Sequence, residues 1–172
     1  LGKGASGVPD EVRAAAKRLR AFIVTYVCVG ARGANRQPWH WIYLPEPEFH
    51  SYRIGAPSAV YAPLAPPDTA SFSVEFSHHG ELSVADAERF AVEDLVRSRM
   101  IHSADDILFA KGREIPNAYV LYDDAYGPAM AEVKRFLEHA GILMAGRYGK
   151  WEYASMEDAI LDGRACARTL NG

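Results

Sequence analysis

The spacing of apolar residues predicts a chain in which helices and strands are mixed. Apolar residues at helical spacing favour a helix over 9–20, and the β-branched and aromatic run at 21–29 is typical of a buried strand. The clean alternation of 71–76 predicts a strand with one apolar face. Similar patterns predict strands at 39–44, 107–109, 118–122 and 142–145, and helices at about 83–101, 128–141 and 156–170. The expected fold class is therefore mixed α/β, a mixed β-sheet with flanking helices.

Glycine, proline and capping residues mark where these elements begin and end. Residues 30–37 are polar and contain glycine, which favours a turn, and the proline-rich stretch 45–70 is expected to be irregular or edge-like. Ser83, with Asp86 three residues later, is typical of a helix start. Gly141 is expected to end the helix before it.

The composition indicates an ordinary globular protein and argues against several kinds of partner. The chain has 172 residues, of which 49% are hydrophobic and 24% charged, so it fits one domain with a sizeable core. A net charge of −3 gives no reason to expect nucleic acid or an anionic membrane, and no apolar run approaches the roughly 18 residues of a membrane span. The cysteines and histidines lack metal-ligand spacing, so no metal site is expected, and a cytoplasmic location is the default.

One glycine-rich segment matches the dinucleotide-binding fingerprint in letters but not in context. Residues 2–7 have the form G-x-G-x-x-G, but the fingerprint needs a strand before it and a carboxylate at the end of the next strand. Within this sequence no strand is expected before Gly2, and the strand at 21–29 is followed by Gly-Ala-Arg. Residues 1–8 are therefore expected to be a flexible lead-in. Because the chain begins at Leu1 and not at methionine, we expect a fragment or a processed form.

The most informative segment, 146–160, has the form of a glycine-bounded loop followed by a helix start. Ser155 is a good N-cap, and Asp158 completes the pattern of a capping box. The free N–H groups of the first turn attract an electron-rich group, but the carboxylates of Glu157 and Asp158 would repel a phosphate. A neutral or partly charged acceptor, such as the N1/C2-carbonyl edge of a flavin, would suit this turn. An ordinary capped helix is the alternative interpretation.

The last helix carries a glycine in its middle. Gly163 costs about 1 kcal/mol relative to alanine, which suggests that another group approaches the backbone closely. The approaching group belongs either to tightly packed residues of this same domain or to an absent domain or cofactor. The expected packing stripe is Met156, Ala159, Ile160, Gly163, Ala167 and Leu170. If a domain is missing, the strip around Ala159, Gly163 and Ala167 should be exposed, or buried in a homodimer.

These C-terminal residues resemble a known motif. Residues 146–149 and 156–160, followed by Gly163 and Ala167, resemble the closing flavin-binding motif of the amine oxidase and protoporphyrinogen oxidase-like superfamily, whose relatives include the UDP-galactopyranose mutases. Elements of its substrate domain are similar to residues 9–19, 40–45, 52–54 and 116–122. The resemblance implies an FAD-dependent oxidoreductase in which 9–140 form a substrate-domain scaffold and 141–172 supply the closing strand-loop-helix of the FAD domain. It also implies a missing N-terminal dinucleotide-binding segment as a partner, since nothing in this chain corresponds to it.

The resemblance implies roles for individual residues. The expected cofactor-binding residues are Gly146 and Arg147 near the FAD diphosphate, Tyr148 beside them, and Met156, Glu157 and Asp158 near the ribityl and isoalloxazine end. Trp151 and Tyr153 would border the cavity of a small-molecule substrate. No catalytic residue is nominated, because the flavin itself carries hydride or electron transfer. Trp151 and Ala154 stand where mutases place paired tyrosines, although Tyr153 remains, so mutase activity is not expected. Val120 also stands where relatives often carry proline.

Two upstream features have two interpretations each. Trp39, Trp41 and Tyr43 share one face of a predicted strand, where they either line a ligand cavity or belong to the core. Arg53 either binds an anionic substrate group or makes a surface ion pair. Tyr43 and Arg53 are therefore candidate substrate-binding residues.

The leading hypothesis is the C-terminal part of an FAD-dependent oxidoreductase, inactive on its own. The alternatives are a non-catalytic binding module with the same fold and a fragment of a nucleotide-sugar mutase.

Overall fold

A computed structural model describes residues 7–33 and 38–172 of the chain. Most of the expected lead-in at 1–8 and the tip of the expected turn at 30–37 lie outside the described residues. The chain divides into two compact units. The central unit is Phe22–Ala118, and the terminal unit is Tyr119–Gly172 with the described part of Leu1–Ala21. The expected organisation into 9–140 and 141–172 stays a prediction about the parent protein.

The described residues form five strands and six α-helices. The strands are β1 (Arg20–Arg32), β2 (Trp41–Tyr43), β3 (Arg53–Gly55), β4 (Thr69–His78) and β5 (Ile107–Leu121). The helices are α1 (Asp10–Arg18), α2 (Pro57–Val60), α3 (Val84–Arg97), α4 (Tyr126–His139), α5 (Gly146–Lys150) and α6 (Met156–Asn171). Short 3₁₀ turns occupy Ala62–Leu64 and Ala104–Asp106.

The strands form one sheet in the order β2-β3-β4-β1-β5, which confirms the expected mixed α/β class. β1 pairs antiparallel with β4, and β3 pairs antiparallel with both β4 and β2. Val27, Val74 and Ile54 lie opposite one another across β1, β4 and β3. Because side chains alternate between the two faces of a strand, these apolar residues form one continuous face.

Helix α3 packs on this apolar face within the central unit. Its first turn begins as predicted, because the Ser83 hydroxyl oxygen accepts the N–H of Asp86 at 3.1 Å. Ala87 and Ala91 let the helix approach the strands closely, and Leu95 is fully buried beside them. A buried Leu, Ile or Phe contributes about 1.5–3 kcal/mol, so the buried apolar side chains of this layer stabilise the central unit.

The terminal unit is built from two helix pairs. α1 packs against α4, and α5 packs against α6. α6 contains no fully buried residue, and Ala159, Gly163 and Ala167 are all exposed. A Cβ added at Gly163 would have no described atom within 4 Å, so of the two interpretations of this glycine, tight packing inside this domain is wrong. The exposed strip expected of a chain that lacks a domain is present.

The strands differ from the sequence prediction at several points. β1 continues through Gly30–Arg32, expected to be a turn, because these residues pair with Ser71–Thr69 and so satisfy their backbone groups. The two strands expected at 107–109 and 118–122 are one strand, β5, since an edge strand tolerates Pro116. The strand expected at 39–44 is shortened to β2.

Residues 142–145, expected to be a short buried strand, belong to no strand of the described sheet. Gly141 adopts a φ of +69° and ends α4, after which Ile142 is 51% exposed. The expected glycine-bounded loop contains the short helix α5. An apolar run of four residues does not itself determine a strand, because a strand also needs a neighbour with free backbone groups.

Candidate functional site

The start of α6 is a fully formed capping box, as predicted. The Ser155 hydroxyl oxygen accepts the N–H of Asp158 at 3.1 Å, and the Asp158 carboxylate accepts the N–H of Ser155 at 2.8 Å. These backbone and side-chain bonds from Ser155 lower the pKa of Asp158. The carboxylate of Asp158 is thus held by the cap.

Two donors of the first turn of α6 remain available. Within residues 7–33 and 38–172, the N–H groups of Met156 and Glu157 have no hydrogen-bond acceptor. The Met156 residue is 86% exposed, so the chain's own side chains do not enclose this end of the helix. The arrangement can accept an electron-rich edge of a ligand, while the nearby Glu157 carboxylate disfavours a full phosphate charge.

Asp162 fixes α5 against α6. Its carboxylate accepts the N–H of Gly146 at 3.0 Å and forms an ion pair with the Lys150 ammonium. The bond from Lys150, followed by that from Gly146, lowers the pKa of Asp162, and the same ion pair raises the pKa of Lys150. Gly146 has a φ of +69°, a conformation that glycine adopts without strain. The turn geometry therefore requires glycine at 146.

Arg147 holds the segment between the two helices. Its Nη2 donates to the carbonyl oxygen of Ala154 at 2.8 Å. Its guanidinium lies 5.2 Å from the ring centre of Tyr119 and 5.3 Å from that of Tyr153. Tyr148, one residue further on, is 59% exposed. Arg147 thus orders the entry to α6 through contacts within its own unit.

Two tyrosine hydroxyls fix the backbone at Trp151 and Tyr153. The Tyr126 hydroxyl donates to the Trp151 carbonyl oxygen at 3.0 Å, and the Tyr122 hydroxyl oxygen accepts the N–H of Tyr153 at 2.6 Å. Trp151 adopts the left-handed conformation, with a φ of 52°. Its buried indole N–H has no acceptor among the described residues. The Tyr153 residue is 69% exposed.

The terminal unit thus brings most of the predicted site residues into one segment. They are Gly146, Arg147, Tyr148, Trp151, Tyr153, Met156, Glu157 and Asp158. Their roles toward a cofactor or substrate stay predictions. Tyr43 and Arg53 belong to the central unit and are described with it.

In the central unit, the face of the sheet opposite α3 carries polar and aromatic residues. One row across the strands, fixed by the pairing register, is Tyr43, Arg53, Glu75 and Tyr26. The next row on the same face is Trp41, Gly55, Ser73 and Cys28. We call these eight residues the open face. Trp41 and Tyr43 are 53% and 60% exposed, and Cys28 is an exposed free thiol.

Arg53 makes an ion pair on the open face. Its Nη2 and Nε donate to the Glu75 carboxylate at 2.5 and 3.0 Å, and the Tyr52 hydroxyl donates to the same carboxylate at 2.7 Å. Burial opposes the charge on Arg53, but the bonds to Glu75 and Tyr43 outweigh burial and raise its pKa overall. The geometry of Arg53 therefore matches the ion-pair interpretation. A role of Arg53 toward a substrate stays a prediction.

Sequence reasoning left Trp39 between two interpretations and missed the partners of Arg53. Trp39 lies before β2 and packs on the hydrophobic core, which matches the core interpretation for this residue, whereas Trp41 and Tyr43 are more than half exposed on the other side. Glu75 and Tyr52 were missed as partners of Arg53. The polar face of the alternating strand at 71–76 does contain Glu75, but only the register places it opposite Arg53.

Neither a membrane-spanning helix nor a metal-binding cluster is present among the described residues. They contain no helix long and apolar enough to cross a bilayer. They also contain no group of three or more His, Cys, Asp or Glu side chains positioned to hold a metal ion.

Comparison with known proteins gives a relationship at the level of fold. No protein-family model matches the chain, and no curated protein matches its sequence. Its structure is similar to that of reduced UDP-galactopyranose mutase, with a TM-score of 0.74 and 18% identity over 81% of this chain and 31% of that chain. It is also similar to a putative protoporphyrinogen oxidase from Exiguobacterium sp. 255-15, with a TM-score of 0.65 and 11% identity over 90% of this chain and 35% of that chain. The chain spans about a third of the length of these structures, and the likeness shows a shared fold.

Proposed function

We propose that this chain is part of an FAD-dependent oxidoreductase of the amine oxidase and protoporphyrinogen oxidase-like type. The observation that carries the proposal is the open start of α6, where Met156 and Glu157 present backbone N–H groups beside a complete capping box. The likeness in fold to a mutase and a putative oxidase of this superfamily supports it. The chain alone is expected to be inactive.

The residues at the start of α6 fit a flavin better than a phosphate. The N–H groups of Met156 and Glu157 and the positive end of the helix dipole favour an acceptor that gains partial negative charge. The Glu157 carboxylate limits how much negative charge the turn accepts. FAD would supply hydride or electron transfer, and the protein would orient it and tune its charge. In this proposal Arg147, Trp151 and Tyr153 shape the neighbouring wall, and Gly146 and Tyr148 lie beside it.

The exposed side of α6 supports a larger parent protein. Ile160 and Leu170 are 70% and 77% exposed, and they lie on the same side as the strip around Gly163. In the proposal, the dinucleotide-binding segment of the parent protein covers these residues. Apolar surface of this kind is stabilised by about 25 cal/mol for each Å² that is buried.

The test uses the full-length parent protein and a substitution that removes one negative charge, that of Glu157. The gene upstream of Leu1 should encode a G-x-G-x-x-G segment between a strand and a helix, and the full-length protein should bind one flavin. Glu157→Gln should then raise the two-electron reduction potential by about 6–20 mV, because it removes a negative charge worth about 0.3–1 kcal/mol beside the reduced ring. Glu138→Gln, at an exposed position on α4, is the matched control and should leave the potential unchanged.

Two outcomes would remove the proposal. One is a full-length protein that purifies without flavin and binds none when FAD is added, which would favour a non-catalytic binding module with this fold. The other is a potential that responds equally to Glu157→Gln and Glu138→Gln, which would place the flavin away from α6.

A mutase is the second candidate, because the structure with a TM-score of 0.74 is that of a UDP-galactopyranose mutase. Trp151 and Ala154 argue against it, since they occupy the places of the paired tyrosines of mutases. Ring-contraction activity of the full-length protein on a UDP-sugar would establish this candidate, and its absence in a flavin-loaded protein would exclude it.

A further inference from the structure

The edge strand β5 adds positive charge to the face that contains Trp41 and Tyr43. Gly112 points toward α3, because its N–H donates to Glu88 at 2.8 Å and an added Cβ would lie 2.7 Å from Val84. Side chains alternate along a strand, so Lys111 and Arg113 point to the opposite side, the side of the open face. Both residues are exposed, and neither has an ion-pair partner among the described residues.

Phe109 gives a second indication of the direction of this part of β5. A Cβ added at Gly30 would overlap the ring of Phe109, so this ring lies over Gly30. Gly30 follows Tyr26 and Cys28 at two-residue spacing and lies on the same face of β1. Phe109 is two residues before Lys111, which places both on the open-face side.

The middle of the open face is a shallow depression, because the side chains there are small. We call the row Gly55, Ser73 and Cys28 the floor. Gly55, Ser73 and Cys28 lie opposite one another on β3, β4 and β1, and their side chains are small or absent. The half-exposed ring of Trp41 stands at one end of this row, on β2. With strands about 4.8 Å apart, the distance from β2 to β5 is roughly 19 Å. The floor therefore lies between the aromatic ring of Trp41 on β2 and the cations Lys111 and Arg113 on β5.

Arg53 does not add to the free positive charge. It is balanced by Glu75 in a two-bond ion pair and is used to hold Tyr43 and Tyr52 in place. Lys111 and Arg113 of β5 are cations on this face that have no ion-pair partner among the residues the structure describes. Charge recognition on this face is thus expected at β5 and not at Arg53, where the sequence had suggested it.

We propose that the open face binds an elongated anion, with an apolar ring against Trp41 and Tyr43 and an acidic group at Lys111 and Arg113. The aromatic residues supply contact area with little loss of side-chain freedom, and the two cations supply charge-assisted hydrogen bonds. The inference deepens the proposed function, and rests on it, in taking this anion as the substrate class of the flavoprotein. Binding itself depends only on residues of the central unit.

A matched pair of fluorescent probes tests the inference on the 172-residue chain. 1-Pyrenebutyrate carries a ring and a carboxylate, and 1-pyrenebutanol has the same ring without the charge. Fluorescence anisotropy should show saturable binding of pyrenebutyrate, at least twofold tighter than that of pyrenebutanol. Lys111→Gln and Arg113→Gln should each weaken pyrenebutyrate about two- to fivefold and leave pyrenebutanol unchanged. Trp41→Ala should weaken both probes about two- to tenfold.

Two control variants separate the open face from the general surface. Arg97→Gln removes an exposed cation at the end of α3, and Tyr61→Ala removes an aromatic residue that is 60% exposed outside the strands. Neither should change either affinity by more than the error of the titration. Equal affinity for the two probes, equal effects of control and test variants, or no saturable binding of pyrenebutyrate would each overturn the inference.

Cys28 provides an independent reading of where the probe binds. Its exposed thiol lies on the floor, whereas Cys166 is half-buried on α6. Saturating pyrenebutyrate should slow alkylation of Cys28 by iodoacetamide at least threefold in a Cys166→Ser background, and should not slow Cys166 in a Cys28→Ser background. If Cys28 is not protected, the probe binds elsewhere and the inference fails. A full-length protein without flavin would remove the proposed function while leaving these binding results as they are.

Discussion

A buried carboxylate on α3 is expected to determine the position of the loop that leads into β3. Asp94 is fully buried, and its Oδ2 accepts the N–H of Ser51 at 2.8 Å, the hydroxyl of Ser51 at 2.7 Å and the N–H of His50 at 3.1 Å. The ring of His50 stacks on Phe90 with centroids 3.9 Å apart. Ser51 directly precedes Tyr52 and Arg53, so Asp94 also positions the central residues of the open face.

The cost of replacing Asp94 follows from these bonds. Each hydrogen bond to a charged acceptor contributes about 1.5–3 kcal/mol, and three of them outweigh the several kcal/mol that burial of a carboxylate costs. In Asp94→Ala the N–H and the hydroxyl of the buried Ser51 would lose their acceptor, and so would the N–H of His50. The free energy of unfolding should fall by about 3–4 kcal/mol, a large part of the 5–15 kcal/mol that is typical of a domain. Ser51→Ala removes one of the bonds and should cost about 1–2 kcal/mol.

Urea unfolding followed by tryptophan fluorescence measures these differences. The control is Glu93→Gln, the neighbouring acid on α3, whose exposed pair with Arg89 should contribute no more than about 0.5 kcal/mol. If Asp94→Ala and Glu93→Gln lowered the free energy of unfolding equally, the carboxylate would not anchor the loop, and the reasoning would be wrong. If Asp94→Ala proves too unstable to purify, Asp94→Asn and Ser51→Ala give the same ranking.

Three further substitutions test other contacts. Gly30→Ala should lower the free energy of unfolding by about 1 kcal/mol, because its methyl group would overlap the Phe109 ring, which is half-exposed and has to move aside; in urea unfolding, Phe109→Ala should remove most of that penalty in the double variant. Glu75→Gln should lower the free energy of unfolding by about 1–3 kcal/mol, since it leaves the half-buried Arg53 without its counter-charge, whereas Glu48→Gln at an exposed loop position should not. The pKa of Asp162 is lowered in the folded state, so its bond to Lys150 stabilises the chain above the ordinary pKa of an aspartate, about 3.9, and this contribution disappears as pH falls through the lower folded value. The melting temperature of Asp162→Asn should therefore lie below that of the wild type at pH 6 and approach it near pH 2–3, and a constant difference across this range would contradict the assignment.

Local sequence signals correctly predicted those features whose interactions lie within one short segment of the chain. The caps at Ser83 and Ser155 formed as expected, because the residue that caps and the donor it satisfies lie within one turn. The sequence could not predict in this way that Ile107–Leu121 form one strand and not two. The single strand depends on β5 being the edge of the sheet, where Pro116 costs no ladder bond, and strand order is set by long-range pairing.

The two candidate sites, the start of α6 and the open face, differ in the same way in how far the sequence predicts them. The residues around Ser155 are neighbours in sequence, and the sequence was sufficient to group them. The open face is different, because its rows are assembled from four strands and require the register that places Arg53 opposite Glu75. A shift of one residue in that register would turn every side chain of a strand to the other face. The positive charge of Lys111 and Arg113 could be assigned to this face only after Gly112 was seen to point toward α3.

Helix α6 gives the strongest structural argument for the proposal that the chain is part of a larger protein. Within the described structure its more buried side is the one with Asp162 and Cys166, while Met156, Ile160 and Leu170 point to solvent. An ordinary surface helix buries its apolar side and exposes its polar side. Here Asp162 is satisfied internally by Gly146 and Lys150, so the inward polar side is stable as it stands. The outward apolar side gains stability only from a further protein surface, and in the proposed oxidoreductase that surface belongs to the segment that binds the rest of the flavin.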